Sequence, residues 1–149
     1  EVLRTGRERS AARTIEKQDI KSMVRALRQA RVVWYAPDQS FSRKGAEIVP
    51  FFGVPSMHTT ATSTLARLGN AIVIPFFPER KPDGRYVFTL LPPFEDFPSD
   101  DLVADTKRYV DVLERHIRRV PEQYFWIHRK FKDLPEGYPD YYADLDALK

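Results

Sequence analysis

The chain contains no cysteine among its 149 residues. This absence excludes a disulfide framework, a thiol nucleophile and a metal site built from thiolates. The three histidines, His58, His116 and His128, do not have the spacing of metal ligands. We therefore expect neither a metal nor a cofactor, and a single histidine of this kind is more often structural than catalytic.

Glycine and long apolar runs are also scarce. The six glycines are scattered, so the sequence has neither a phosphate-binding loop nor a Gly-x-Ser-x-Gly nucleophile turn. The apolar run at 71–77 is far shorter than the ~20 residues of a membrane-spanning helix, and no stretch suits a signal peptide. The sequence begins at Glu1 rather than at a methionine, and we expect it to be a piece of a longer protein.

The net charge of +3 conceals a gradient along the chain. Residues 1–31 hold nine basic and four acidic side chains, whereas residues 133–149 hold five acidic side chains and one lysine. A cationic segment can bind nucleic acid, anionic lipid or an acidic protein, and a solvated basic helix explains it equally well. A small basic module that binds nucleic acid or an acidic protein is therefore one alternative function, and it depends on residues 1–31 alone.

Apolar periodicity predicts an α/β fold with a central mixed sheet flanked by helices. Short β-branched and aromatic runs predict buried strands at 31–36 and 71–77, and a further strand is predicted at 47–52. The Pro-Asp-Gly sequence within 81–85 predicts a turn that leads to a second hairpin arm at 85–91.

Three segments have the spacing or the end signals of helices. They are 20–27 with Asp19 as its N-cap, 59–68 closed by Gly69, and a long helix opened by Ser99 with an apolar stripe from Val103 to Val120.

Two polar residues directly follow the first predicted strand. Pro37 ends that strand, and Asp38 and Gln39 come next. In open α/β sheets ligands bind at the edge where the strands end, which makes both residues candidates for ligand binding. A turn that caps its own backbone is the alternative.

Several sequence blocks occur together in a fixed order. They are Val33-Trp-Tyr-Ala-Pro-Asp-Gln39, Arg43-Lys-Gly45, Val49-Pro-Phe-Phe-Gly53, Thr59-Thr60, Leu65-Ala-Arg67, Pro92-Pro93 with Glu95 and Phe97-Pro98, Pro121-Glu-Gln-Tyr124 and Trp126-Ile-His-Arg-Lys-Phe-Lys132. In order and spacing they resemble the late acyltransferases of lipid A biosynthesis, the lauroyl/myristoyl transferase family, over nearly all of 20–138. The sequence departs from the family pattern at Ala61 and at Asp133-Leu134.

The resemblance implies a glycerolipid-acyltransferase-like fold and a transfer reaction in lipopolysaccharide biosynthesis. A fatty acyl group would move from an acyl carrier protein thioester to a hydroxyl of a lipid A precursor. In the family the base is the histidine of a His-x4-Asp/Glu motif, which precedes the region matched here, as does the membrane anchor. Another membrane acyltransferase that uses acyl carrier protein or acyl-CoA is the alternative among enzymes.

These implications set expectations for the chain as a whole. Residues 1–149 are expected to be the C-terminal part of a single acyltransferase domain, incomplete and inactive by itself. Its partners would be acyl carrier protein, the lipid A precursor and a membrane surface, without nucleic acid. Its location would be the cytoplasmic face of the bacterial inner membrane.

The resemblance leaves substrate binding to this chain. Sugar hydroxyls, phosphates and the acidic carrier protein are the groups to be bound, by Asp38, Gln39, Arg43, Lys44, Thr59, Thr60 and Arg129. Lys130, next to Arg129, is a similar candidate, and both are expected near the membrane face. For Arg43 and Lys44 a solvated loop is the alternative, and for the two threonines helix capping is the alternative.

One pair in the chain has the spacing of the family's catalytic motif. His128 and Asp133 are separated by four residues. They lie, however, in the family's closing block and not at its catalytic position, and packing at a helix end is the simpler interpretation. We therefore expect no catalytic residue within the chain.

Overall fold

The computed structural model describes residues 5–6, 8–9, 11–42 and 44–146. These residues form a mixed α/β structure with helices α1 Ile20–Arg28, α2 Ala61–Gly69, α3 Leu102–Arg119 and α4 Ala143–Asp146, strands β1 Ala46–Phe51, β2 Val54–Thr59, β3 Phe76–Arg80 and β4 Tyr86–Leu90, and two single turns of 3₁₀-helix, Pro121–Gln123 and Trp126–His128. The chain order is α1, β1, β2, α2, β3, β4, α3, the two 3₁₀ turns and α4.

The four strands pair as two separate antiparallel hairpins, β1–β2 and β3–β4. The prediction of mixed α/β structure is confirmed, but the described residues do not form the predicted central mixed sheet. Hairpin partners come from neighbouring sequence, so these two pairs form without the long crossover that a parallel strand requires.

In the described part of the chain, the buried strand predicted at 31–36 is wrong, and the one predicted at 71–77 is wrong over 71–75, since only its last two residues belong to β3. Segment 31–36 has no strand partner there, and the Val32 side chain is 98% exposed. In the second segment Ile72 is 73% exposed, and regular pairing begins only at Phe76. Pro75 has no N–H to donate to a ladder. Before Phe76 two backbone bonds continue without a regular strand, from the Leu91 N–H to the Pro75 carbonyl and from the Phe94 N–H to the Val73 carbonyl, both at 3.0 Å.

The hairpin β1–β2 turns through Phe52 and Gly53, whose φ angles of 51° and 78° are both positive. A two-residue turn with this geometry matches the twist of the strands it joins. The Phe52 N–H donates to the Glu114 carboxylate at 2.7 Å, and the Arg118 guanidinium lies 4.8 Å from the Phe52 ring centre. These contacts from α3 hold a bulky residue in a conformation that usually favours glycine or asparagine.

Helix α1 begins as predicted, because the Asp19 side chain accepts a hydrogen bond from the Ser22 N–H at 3.0 Å. Helix α2 differs from its prediction at both ends. Thr59 belongs to β2, and the left-handed residue at the C-terminal end is Asn70, not Gly69. A Cβ at Gly69 would lie 2.7 Å from Leu27 side-chain atoms, so this glycine permits α1 and α2 to pack closely.

The long helix α3 covers the hairpin β1–β2. Its N-cap is Asp101, whose carboxylate accepts from the N–H groups of Val103 and Ala104 at 3.0 and 2.9 Å. Ser99, the predicted cap, instead donates its hydroxyl to the buried Asp105 at 3.0 Å. The core between α3 and β1 consists of Val49, Phe51, Val110 and Ile117, with Phe131 and four other apolar side chains at its margin.

Candidate functional site

Asp38 and Gln39 lie on an extended segment fastened to the C-terminal part of the chain. The Asp38 carbonyl accepts two hydrogen bonds, from the Tyr124 hydroxyl at 3.2 Å and from the Lys130 ammonium at 2.7 Å. Two residues further on, the Ser40 hydroxyl donates to the Lys132 carbonyl at 3.1 Å. Asp38 is half-buried and Gln39 is exposed, so the end of this segment is accessible.

Lys130 is the least expected member of this site, because its side chain is buried with 1% exposure. Burial lowers the pKa of Lys130 to about 8, and the nearby Asp38 carboxylate opposes that shift. The Lys130 Nζ lies 3.4 Å from His58 Nδ1 and 5.5 Å from the centre of the Phe51 ring. A buried ammonium group is stable only where such partners replace water.

His58 is fully buried on β2, opposite Glu47 of β1. Burial, and secondarily the charge of Lys130, lower the pKa of His58 to about 3. The ring is therefore neutral at physiological pH, and its Nδ1 is available to accept from Lys130. Its Nε2 has no hydrogen-bond partner among the described residues. A buried base of such low pKa is poorly suited to general-base catalysis.

Three tyrosines complete a group that we call the Asp38 cluster, formed by Tyr35, Asp38, His58, Tyr109, Tyr124 and Lys130. The Tyr109 hydroxyl, from α3, donates to the Thr59 carbonyl at 2.9 Å. Burial, and then neighbouring charges including Asp38, raise the pKa of Tyr109 and Tyr124. Burial also raises the pKa of Tyr35. The phenols therefore stay neutral and act as hydrogen-bond donors.

The structure brings Thr59, Thr60 and Lys44 to the neighbourhood of this cluster. Both threonines are buried, and their hydroxyls serve local structure: Thr60 donates to the Gly45 carbonyl at 3.0 Å and Thr59 accepts from the Ala61 N–H at 3.1 Å. Thr60 is the N-cap residue of α2 but caps it without a side-chain bond. Their contact with substrate stays a prediction, and the geometry favours a structural role.

The basic candidates are placed differently. Lys44 is exposed, next to the Gly45 that anchors Thr60, whereas Arg43 lies outside the described residues. Arg129 is half-buried and has its guanidinium 5.5 Å from the Tyr142 ring centre. Among the described basic candidates, Lys44 is therefore the one that is exposed to solvent.

His128 and Asp133 do not form an interacting pair among the described residues. The His128 Nδ1 contacts the Phe125 carbonyl, and its Nε2 lies 3.5 Å from the Tyr124 hydroxyl. The Asp133 carboxylate lies 3.9 Å from the Lys132 ammonium. These contacts suit the packing interpretation of this segment.

Three further observations on the described residues concern metal ligands, a groove and the helices. No group of three histidine or acidic side chains in 5–6, 8–9, 11–42 and 44–146 is arranged to hold a metal ion. A shallow groove of about 610 Å³ between α1 and α2, lined by Lys21, Arg25 and Arg28 among others, contains no residue of the Asp38 cluster. Within the same residues, each helix is too short or too polar to cross a bilayer.

Sequence patterns did not single out the tyrosines of the cluster or give Lys130 an internal role. Tyr35, Tyr124 and Lys130 do lie inside the blocks that carry the family resemblance, which is a usable signal. Tyr109 has no such signal, because it lies within the apolar stripe of α3 and reads as an ordinary core residue.

Comparison with known proteins identifies the class of protein to which this arrangement belongs. The sequence model of the family described as bacterial lipid A biosynthesis acyltransferase matches residues 1–133. The lipid A biosynthesis lauroyltransferase of Escherichia coli (strain K12) is 42% identical over 139 residues, which are 92% of this chain and 45% of that protein. The palmitoleoyltransferase of the same organism is 39% identical over 135 residues, 89% of this chain and 44% of the relative. The myristoyltransferase is 30% identical over 140 residues, 91% and 43% of the two chains.

The chain therefore belongs to the bacterial lipid A biosynthesis acyltransferase family, as the sequence blocks predicted. It spans less than half the length of these curated relatives. The basic segment 1–31 lies inside the region that the family model matches.

Proposed function

We propose that the complete protein containing this chain transfers a fatty acyl group from an acyl carrier protein thioester to a hydroxyl of a lipid A precursor. The observation that carries the proposal is the family match over residues 1–133, together with relatives named as lauroyl-, palmitoleoyl- and myristoyltransferases. The anchored Asp38–Gln39 segment supports a sugar-binding role for this part of the enzyme.

The proposed chemistry is an ester-forming acyl transfer. The acceptor oxygen bonds to the thioester carbon, the carbon–sulfur bond breaks, and the acceptor proton passes through a base to the departing thiolate. The transition state needs that base and hydrogen-bond donors for the developing oxyanion. In the proposal the base belongs to a His-x4-Asp/Glu motif elsewhere in the complete enzyme, because His58 is buried with a pKa of about 3.

The proposed role of this chain is to bind the acceptor and the carrier. The half-buried Asp38 carboxylate accepts hydrogen bonds from sugar hydroxyls, and the exposed Gln39 amide both accepts from them and donates to them. Lys44, with Arg43 and Arg129, attracts the precursor's phosphates or the acidic carrier protein.

We further propose that the reaction takes place at the cytoplasmic face of the bacterial inner membrane, where the chain contacts the lipid surface. Exposed apolar side chains support this, among them Ile127 with 81% exposure and the neighbouring Phe125. The outward side chains of Val32, Trp34 and Ile72 are also exposed, and we propose that the rest of the acyltransferase domain covers them.

The test uses a chimera, defined as the Escherichia coli lauroyltransferase in which this chain replaces the segment it matches. The purified chimera should convert acyl carrier protein thioester and lipid A precursor to acylated product and free carrier thiol. The parent enzyme with the segment deleted is the control. A folded chimera without activity, combined with salt-dependent binding of this chain to DNA, would support the basic binding module instead.

Replacement of Asp38 by alanine in the chimera is expected to lower turnover by ~10-fold or more, because the change removes a substrate-contacting carboxylate. Thermal stability should change little, since a half-buried side chain at a segment end contributes little to the core. The matched control is Asp83→Ala in the β3–β4 turn, where the carboxylate pairs with Arg85. Parallel losses of stability and activity in Asp38→Ala would assign Asp38 to a turn-capping role.

Neutralisation of Arg43, Lys44 and Arg129 to glutamine is expected to raise the KM and to reduce its dependence on salt, with a smaller effect on kcat. Long-range attraction to phosphate or to an acidic carrier protein mainly raises the rate at which enzyme and substrate associate, and salt screens this attraction. The control is Lys107→Gln, an exposed lysine paired with Asp111 on α3. An unchanged KM at low ionic strength would mean that these side chains are merely solvated.

A further inference from the structure

The main chain that carries Asp38 and Gln39 is held by side chains and not by a sheet. Segment 32–42 lies outside every described helix and strand, and it makes no backbone–backbone hydrogen bond to another described residue. Its hydrogen bonds to distant residues include those that Tyr124 and Lys130 donate to the Asp38 carbonyl, the bond from Ser40 to the Lys132 carbonyl, and a side-chain bond between Tyr35 and Thr59. The position of this segment therefore depends on a few distant side chains.

Among these bonds, the one from Lys130 is the one whose donor loses the most hydration free energy on burial. The Lys130 side chain, with 1% exposure, has lost its hydration, which is costly for an ammonium group. Lys132, only two residues away, is exposed. Its ammonium group is directed to the Asp38 carbonyl at 2.7 Å and to His58 Nδ1 at 3.4 Å. A charged donor makes a stronger bond to a carbonyl than a neutral donor does.

The segment around Lys130 is itself fixed to the core. The Ser56 hydroxyl of β2 donates to the Lys130 carbonyl at 3.1 Å, and the N–H of the next residue, Phe131, donates to the Tyr142 hydroxyl oxygen at 3.2 Å. Phe131 packs on the core cluster. Lys130 thus projects from an anchored backbone, and its ammonium group connects β2 to the Asp38 segment.

Resting on the proposed function, we propose that Lys130 is a positioning residue for acceptor binding. Its ammonium group, with the Tyr124 hydroxyl, fixes the Asp38 carbonyl so that the side chains of Asp38 and Gln39 meet the sugar hydroxyls of the lipid A precursor. Lys130 itself stays buried and contacts no substrate. This assignment separates it from Lys44 and Arg129, whose proposed partners are anions.

The first arm of the test needs no substrate and uses the 149-residue chain. Lys130→Met should accelerate thermolysin cleavage within 36–42 by about 10-fold or more, because cleavage requires the segment to leave its position and a charge-assisted bond that holds it there is lost. Lys132→Met is the matched control, the same change at an exposed lysine, and should leave the cleavage rate unchanged. Tyr124→Phe, which keeps the ring but removes the other donor, should give a smaller acceleration. An unchanged cleavage rate in Lys130→Met would overturn the proposal.

The second arm measures kinetics in the chimera. Lys130→Met should lower kcat/KM for the lipid A precursor by about 10-fold, mostly through KM, because the contacts it orients bind the acceptor. In an Asp38→Ala, Gln39→Ala background the same change should have little further effect, since residues that act through one another are not additive. Full additivity would overturn the proposal. If the unmodified chimera transfers no acyl group, the proposed function fails, whereas the cleavage arm still decides whether Lys130 fixes the segment.

Discussion

Supplied with acyl carrier protein thioester and lipid A precursor, the 149-residue chain by itself is expected to show no turnover above background. General-base catalysis typically contributes 10²–10⁴-fold, about the loss expected when no base is present. Of the described histidines, His58 is buried with a pKa of about 3, and His116 stacks on Phe77 at 4.3 Å, away from the Asp38 cluster. The measurement is release of free carrier thiol by the chain compared with the chimera.

The His128→Ala variant of the same chain is the control for this expectation. His128 and Asp133 have the sequence spacing of the family's catalytic motif, but their side chains contact Phe125, Tyr124 and Lys132. We expect the variant to be indistinguishable from the unmodified chain. Robust turnover by the chain that disappears in His128→Ala would contradict the proposal and make His128 and Asp133 the catalytic pair.

Parts of the fold that depend on neighbouring residues were predictable from the sequence. The cap of α1 at Asp19 follows from one side chain and the N–H three residues later. The turn at 81–85 closes through a bond from the Gly84 N–H to the Lys81 carbonyl, as its Pro-Asp-Gly sequence indicates. Such caps and turns depend only on residues that are close in sequence, so they form independently of the tertiary contacts of the rest of the chain.

Parts that depend on a distant partner were not predictable. A short β-branched and aromatic run such as 31–36 has the composition of a buried strand, but composition does not supply the strand that must pair with it. Conversely, no strand was predicted at 54–58 and Thr59 was predicted to begin a helix, yet β2, which contains Pro55, pairs with β1 along its full length. In both cases tertiary context outweighs local propensity.

In the candidate site, too, the local features were predictable and the contacts between distant residues were not. Asp38 and Gln39 were found because they follow an apolar run directly, which is a local feature. The Lys130 ammonium reaches Asp38 across 92 residues and His58 across 72 residues, and no periodicity relates such positions. The sequence singled out Asp38 and Gln39 as candidates, and only the three-dimensional contacts identify what holds their segment in place.

Acidification is expected to destabilise the chain through His58. Its pKa falls from 6.5 to about 3 in the folded state, chiefly because of burial and secondarily because of the Lys130 charge. The unfolded chain therefore binds a proton between pH 6.5 and 3 that the folded chain does not bind. Stability contributed by the neutral ring is present above pH 6.5 and is lost as the pH falls towards 3. The full loss is on the order of 4–5 kcal/mol in the free energy of unfolding.

Denaturant unfolding of the chain and of its His58→Gln variant between pH 7 and pH 4 measures this contribution. Glutamine keeps an oxygen that accepts from Lys130 but does not titrate, so the variant should lose less stability on acidification. Carboxylates titrate alike in both proteins and cancel in the difference. His116→Gln is the matched control. Burial also lowers the pKa of His116, but this side chain is only half-buried, so its replacement should flatten the pH dependence of stability less. Parallel curves for the unmodified chain and His58→Gln would show that the buried ring does not resist protonation, and that Lys130 does not face a neutral acceptor.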